Sequence, residues 1–163
     1  MEIRQRVRNV TAQDGWALIK VIHVPDMPGI VAQIFGKMAD EGLSVDLILQ
    51  NASIERTTDV SFTVRSSEAK ASLKALDAIK SDIGALEVQL IDKLATVQII
   101  GTGILSDPSC VGELFGVLAK AEVNVLAIGT SEIRITILVG ASDMDQAQNA
   151  LHQAFHVDVA AAR

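Results

Sequence analysis

An internal repeat constrains this chain more than any other feature of it. Aligned without gaps, residues 28–51 fall on residues 108–131. This pairs Val31 with Val111, Phe35 with Phe115, Gly36 with Gly116, Ala39 with Ala119, Val45 with Val125 and Ile48 with Ile128. After a shortening in the second copy, Val64 falls on Val139, Ala75 on Ala150 and Leu76 on Leu151. A repeat of this length means two copies of one small folding unit, and 163 residues leave room for two units near the lower end of domain size. Duplicated modules of this kind usually bind or regulate, because the seam between copies makes a ready cleft.

Each copy reads as the same series of elements. In the first, the β-branched run 17–24 stops at Pro25 and predicts a strand. Val31, Ile34, Phe35 and Met38 then recur at helical spacing over residues 28–41, and Gly42 ends that helix. Residues 45–50 form the next strand. Over residues 57–64, Val60, Phe62 and Val64 alternate with Asp59, Ser61 and Thr63, which predicts a strand with one buried and one open face. A helix over 67–83, with Leu73, Leu76 and Ile83 inward, and a strand over 86–91 complete a β-α-β-β-α-β order.

The second copy repeats this order over 96–100, 108–121, 124–128, 133–139 and 144–155, with Ile133, Ile135, Ile137 and Val139 on its inward strand face. Its sixth element has two candidates: residues 156–159, or the N-terminal run 3–10, which has no counterpart in copy one. The N-terminal run is the better candidate. The expectation is an α+β protein of two ferredoxin-like βαββαβ modules. An N-terminal segment, 1–16, supplies a strand of the second sheet, 17–93 form the first module and 94–163 the second. Free sheet edges and helix-free faces invite the modules, or two chains, to join.

Composition narrows the function classes. The net charge of −6, with no tyrosine and one tryptophan, argues against nucleic acid as a partner. Arg4, Arg6 and Arg8 alternate, which reads as a solvated strand face. No run approaches the roughly 18 apolar residues of a membrane span, and Met1-Glu2-Ile3-Arg4 shows no apolar signal core. A single cysteine, Cys110, leaves no internal disulfide and fits a reducing cytoplasm. Cys110 reads as a small core residue. His23, His152 and His156 lack metal-ligand spacing, and Gly101-Thr102-Gly103 lacks the rest of a phosphate loop, so neither a metal nor a nucleotide cofactor is expected. No catalytic constellation is present.

The one local signal for a ligand is a contrast between the copies. Pro28-Gly29 opens the first helix with no side chain able to cap it, since Met27 precedes them. The first amides of the helix are left available to an anion such as a carboxylate. In copy two, Asp107-Pro108-Ser109 stands there instead, and Asp107 is a good N-cap that satisfies the same donors internally. Asp26 and Gln50 are placed to accept from the polar end of a small carboxylate ligand, and Asn124, at the matching strand start of copy two, is a further candidate. Taken singly, Gln50, Asn51 and Asn124 are also ordinary turn residues.

Several segments taken together resemble the paired ACT domains of the aspartate kinase regulatory region, over essentially the whole chain. In copy one they are Pro25-Asp26-Met27-Pro28-Gly29, Val45-Asp46-Leu47-Ile48-Leu49-Gln50-Asn51 and Thr57-Thr58-Asp59-Val60-Ser61-Phe62-Thr63-Val64. In copy two they are Asn124-Val125, Thr130-Ser131-Glu132-Ile133-Arg134-Ile135 and Ala150-Leu151-His152-Gln153-Ala154-Phe155. Nothing in the sequence matches the kinase domain of that family, so the chain itself is expected to be non-catalytic. It reads as a separate regulatory (β) subunit or a regulatory fragment that serves an aspartate kinase catalytic subunit.

The resemblance implies an allosteric ligand, threonine or lysine, whose binding inhibits the phosphorylation of aspartate at the entry to lysine, threonine and methionine synthesis. It implies a homodimer in which Asp26, Gly29, Ile30, Val31 and Gln50 of one chain and Asn124 and Val125 of the other hold the effector. Ser53, Thr58 and Ser131 fall where changes relieve feedback inhibition in the family. The chain departs from the family at Ser106-Asp107-Pro108-Ser109, where Ser-His-Pro-Gly is usual, and at Gly129, where serine is usual. One effector and two effectors per chain are both compatible with that. The alternative is an ACT-type amino-acid sensor of another biosynthetic enzyme, such as the acetolactate synthase small subunit.

Overall fold

A computed structural model describes residues 6–52 and 55–157 of the chain. Its elements run β1 (Val7–Pro25), α1 (Ile30–Asp40), β2 (Ile48–Gln50), β3 (Thr57–Arg65), α2 (Ala69–Ile79), β4 (Glu87–Gly101), α3 (Pro108–Lys120), β5 (Val125–Ser131), β6 (Arg134–Gly140) and α4 (Met144–Phe155). They fall into two compact units, one of Gly15–Lys93 and one of Met1–Asp14 with Leu94–Arg163. We call these the first and second modules. No described helix is long and apolar enough to cross a membrane.

In the first module the strands lie in the order β2-β3-β1-β4. β3 is antiparallel to both its neighbours, with Ile19 opposite Phe62 and Ile48 opposite Phe62 on the other side. Ala17, Ile19, Val21 and Val24 of β1, Val60, Phe62 and Val64 of β3, Ile34 and Met38 of α1 and Leu76 of α2 make one apolar core. Phe62 is fully buried; truncating such a side chain to alanine costs about 3–5 kcal/mol. The alternation expected of residues 57–64 holds with one exception. Thr63 is completely buried although its neighbours Ser61 and Asp59 are not, because its Oγ1 accepts the Leu47 amide at 2.9 Å. That bond, with Asp46 N–H donating to the Thr63 carbonyl, replaces regular pairing before Ile48 and leaves β2 shorter than expected.

The second module has the order β1-β4-β6-β5. Residues 7–14 of β1 belong to this unit, where β1 lies beside β4. Val7 and Val10 join Val97, Ile99, Leu114, Ile135, Ile137, Leu151 and Phe155 in the core. Buried His152 of α4 points its Nε2 at the Val10 carbonyl, 2.8 Å away; a carbonyl can only accept, so Nε2 carries the hydrogen. Of the rival candidate, residues 158–159 lie outside the described residues, and His156 ends α4 in a left-handed conformation.

Two other expectations are corrected. Ile133 lies in the turn before β6 and is 53% exposed rather than inward. The N-terminal arginines do not form one solvated face. Arg8 is exposed, but Arg6 is partly buried, donates to the Gly103 carbonyl at 3.0 Å and lies 3.5 Å from Asp107. Arg4 lies outside the described residues. Gly101 is explained by the same packing, since a Cβ there would sit 2.0 Å from the Arg6 carbonyl oxygen. The Gly101-Thr102-Gly103 stretch is a seat for the N-terminal strand.

Candidate functional site

Three chain ends converge at one end of the first module's sheet. Antiparallel pairing sets Pro25, the last residue of β1, opposite Thr57 at the start of β3, and Gln50, the last of β2, opposite Val60. The loop leading into α1 starts there too. It is anchored just before β3 by the Asp26 amide, which donates to the Arg56 carbonyl at 2.9 Å, and it turns back as the Met27 amide donates to the Pro25 carbonyl at 3.0 Å. Asp26, Gly29, Ile30, Val31 and Gln50 are thereby gathered at that one end. Asp26, Gly29 and Gln50 are exposed, Val31 is half-buried, and Ile30 is buried as the first apolar anchor of α1.

The helix start differs from the expectation in one respect. Pro28 lies in a turn before the helix instead of its first turn, and Gly29 is the N-cap, at φ 98. This conformation requires glycine, and no side chain caps the amides that follow. The start of α3 is built the other way. Asp107 accepts from the Ser109 amide at 3.0 Å and also bonds the Ser109 hydroxyl. Its carbonyl accepts from Cys110 at 3.1 Å, and Arg6 stands beside its carboxylate. The Ser109 hydroxyl first, and the Ser109 amide next, hold the Asp107 carboxyl below its ordinary value. Cys110 is buried and its thiol is pushed up, by burial first and then by the Asp107 charge, so it is not poised as a thiolate.

The remaining residues separate. Asn124 and Val125 sit where β5 begins in the second module, at the opposite end of that sheet from Ser131 and the start of α3, because Val125 pairs with Val139 and Ser131 with Arg134. Ser131 is exposed. Thr58 is buried at 7% exposure and points its hydroxyl at the Asn51 carbonyl, 2.8 Å away. Ser53 lies outside the described residues.

One feature of the site escaped the sequence reading. The register of β1 against β3 slips between Val21 and Val24, and His23 takes φ 57 there. Its amide donates to Oδ1 of Asp59 at 2.8 Å. Beside this kink is an open cleft of about 470 Å³, lined by His23, Asn51, Glu55, Thr57, Thr58 and Asp59. Among the described residues no three His, Cys, Asp or Glu side chains gather as a metal site would need.

Comparison with known proteins follows the same division of the chain. Residues 18–83 and residues 97–155 each match the ACT domain. The regulatory subunit of aspartate kinase from Thermus flavus is 34% identical, with a TM-score of 0.86 over 92% of this chain and 99% of that one. A structure of aspartokinase alpha and beta subunits matches at 35% identity and a TM-score of 0.84, over 93% of this chain and 99% of the matched one. E. coli aspartokinase III in complex with lysine and aspartate matches at 28% identity and a TM-score of 0.70, over 91% of this chain and 33% of that one. The aspartate kinase of Pseudomonas fluorescens (strain SBW25) is 37% identical over 145 residues, which are 89% of this chain. The chain spans 35% of the length of that relative.

Proposed function

The chain belongs to the family of aspartate kinase regulatory subunits built from two ACT domains, and from that premise we propose that it senses a free amino acid, threonine or lysine, and restrains aspartate phosphorylation by a catalytic subunit. The observation that carries this reading is the uncapped start of α1 at Gly29, with exposed Asp26 and Gln50 at the same sheet end. Amides that no side chain caps and the positive end of the helix dipole suit the α-carboxylate of an amino acid, while Asp26 and Gln50 accept from its ammonium group or side chain. The start of α3, closed by Asp107, offers no such donors. This reading therefore takes one effector site per chain.

In the proposed assembly two chains form a homodimer, and Asn124 and Val125 of the partner subunit close the site over the ligand. Thr58, Ser53 and Ser131 tune the response: Thr58 acts through its bond to Asn51, which follows directly on Gln50. The related aspartokinase III in complex with lysine, and the related alpha and beta subunits in one structure, support an amino-acid ligand and a catalytic partner. An amino acid sensed near sub-millimolar concentration binds with roughly −5 kcal/mol, and a coupling of about 1–3 kcal/mol suffices to regulate the kinase.

Calorimetric titration of the 163-residue chain with L-threonine and L-lysine tests the reading. Saturable binding of one of them, accompanied by dimerisation, is expected. Binding of neither overturns it, and stabilisation by a different amino acid would assign the chain to another pathway.

A further inference from the structure

We infer that Asp59 is a positioning residue for the loop that carries Asp26 and Gly29, and that it works by holding His23 in a left-handed kink; the role in effector binding rests on the reading above. Val21 pairs with Val60 and Val24 with Thr58, so Ile22 and His23 together face the single residue Asp59. This is a β-bulge, a device that re-aims the chain beyond it. Its cost falls on His23, which holds φ 57, a region uncommon for residues other than glycine, although histidine, asparagine and aspartate enter it more often than the rest. Oδ1 of Asp59 receives the His23 amide at 2.8 Å, the bond that the irregular pairing would otherwise leave unmade.

The second module has no such slip: β4 pairs with β6 in unbroken register from Leu94 opposite Gly140 to Ile100 opposite Arg134. Carrying the 80-residue offset back before Pro28 sets Ile104, fully buried, against Val24 and Gly103, at φ 70, against His23, but Gly103 lies beyond the end of β4. The counterpart of Asp59 is Arg134, which cannot accept and donates instead to Gln98 at 3.4 Å. Arg134 lies opposite Ile100 in regular pairing, so an acceptor at that place has no kink to hold.

The loop depends on that kink. Core-facing residues of β1 run Ala17, Ile19, Val21 and then Val24, so the extra residue is what returns Val24 to the core. Ironing it out would slip the chain by one place, turn Val24 outward and pull the Asp26 amide off the Arg56 carbonyl.

Three variants of the full chain, titrated with L-threonine and L-lysine, test the inference. Asp59→Ala should bind the effector about tenfold more weakly. Asp59→Asn, which keeps the acceptor oxygen, should stay within about twofold of wild type. His23→Gly placed on Asp59→Ala should restore binding, because glycine needs no latch. Wild-type affinity in Asp59→Ala would overturn the inference. So would failure of His23→Gly to rescue, which would put Asp59 on the ligand and not on the backbone. If wild type takes up neither amino acid, the effector reading fails by itself and hydrogen exchange at the Asp26 amide decides about the latch. Faster exchange in Asp59→Ala that is slowed again in the double variant supports it, and exchange unchanged from wild type overturns it.

Discussion

Thr58 reaches from the start of β3 to the backbone carbonyl of Asn51, 2.8 Å from its hydroxyl oxygen, and so ties the end of β2 to the strand beside it. The hydroxyl is buried and Asn51 is exposed, so the bond sets where the Gln50–Asn51 corner lies more than whether the module folds. Thr58→Val keeps the shape and removes the donor. It should cost about 1 kcal/mol in urea unfolding, while effector affinity measured by calorimetry falls by roughly fivefold or more.

Asp26→Ala and Asp107→Ala form an opposed pair, since the two residues precede corresponding helices with opposite jobs. Asp26 is exposed, so its loss should leave the melting temperature unchanged and weaken effector binding roughly ten- to a hundredfold. Asp107 caps α3, so its loss should lower the melting temperature by a few degrees and leave affinity unaltered. Calorimetry and thermal denaturation on both variants would show the crossed pattern, and an uncrossed one would refute the assignment of open and closed helix ends.

The cap has a defined response to pH. The folded-state pKa of Asp107 is depressed, chiefly by the Ser109 hydroxyl, so the folded state binds that proton less readily than the unfolded state does. Its contribution to stability is therefore complete above the ordinary carboxylate range and disappears as the pH falls through the lowered value. Melting curves of wild type and Asp107→Ala should lie apart at neutral pH and converge in acid.

Gly101→Ala should loosen the N-terminal strand. The added methyl group would lie 2.0 Å from the Arg6 carbonyl oxygen, which is backbone and cannot swing aside. A destabilisation of more than about 2 kcal/mol is expected in chemical denaturation, with amide exchange accelerating first at Val7–Val10. Gly103→Ala meets no such backbone neighbour and pays only for φ 70, which costs about 1 kcal/mol.

The fold was legible because each element carries its own period and the repeat states each period twice. Val31, Ile34 and Met38 on α1, and Val60, Phe62 and Val64 on β3, are written at helix and strand spacing. Adjacent polar residues misled the reading of strand length. Runs 3–10 and 17–24, and 86–91 and 96–100, read as separate strands, yet β1 and β4 run through the residues between them, with Gly15 at φ 78 and Lys93 at φ 58. At the site, the uncapped helix start was readable because a missing capping side chain is a local fact. The His23–Asp59 bond was not, because it joins residues far apart in sequence and depends on a one-residue slip between strands. Thr63 and Arg6 were misjudged for the same reason: each is a polar residue whose distant partner lets it leave the solvent, Thr63 wholly and Arg6 in part.

Since β1 is divided at Gly15, with its first stretch belonging to the second module, the two modules cannot mature in the order in which they are synthesised. During synthesis, residues 7–14 are made before the rest of their own unit and find no partner strand of it to join. The whole nested module can close in the meantime from contacts within Gly15–Lys93. Only once His152 has been made does Val10 gain its tether, so this stretch of β1 is secured after the module whose sequence lies between them.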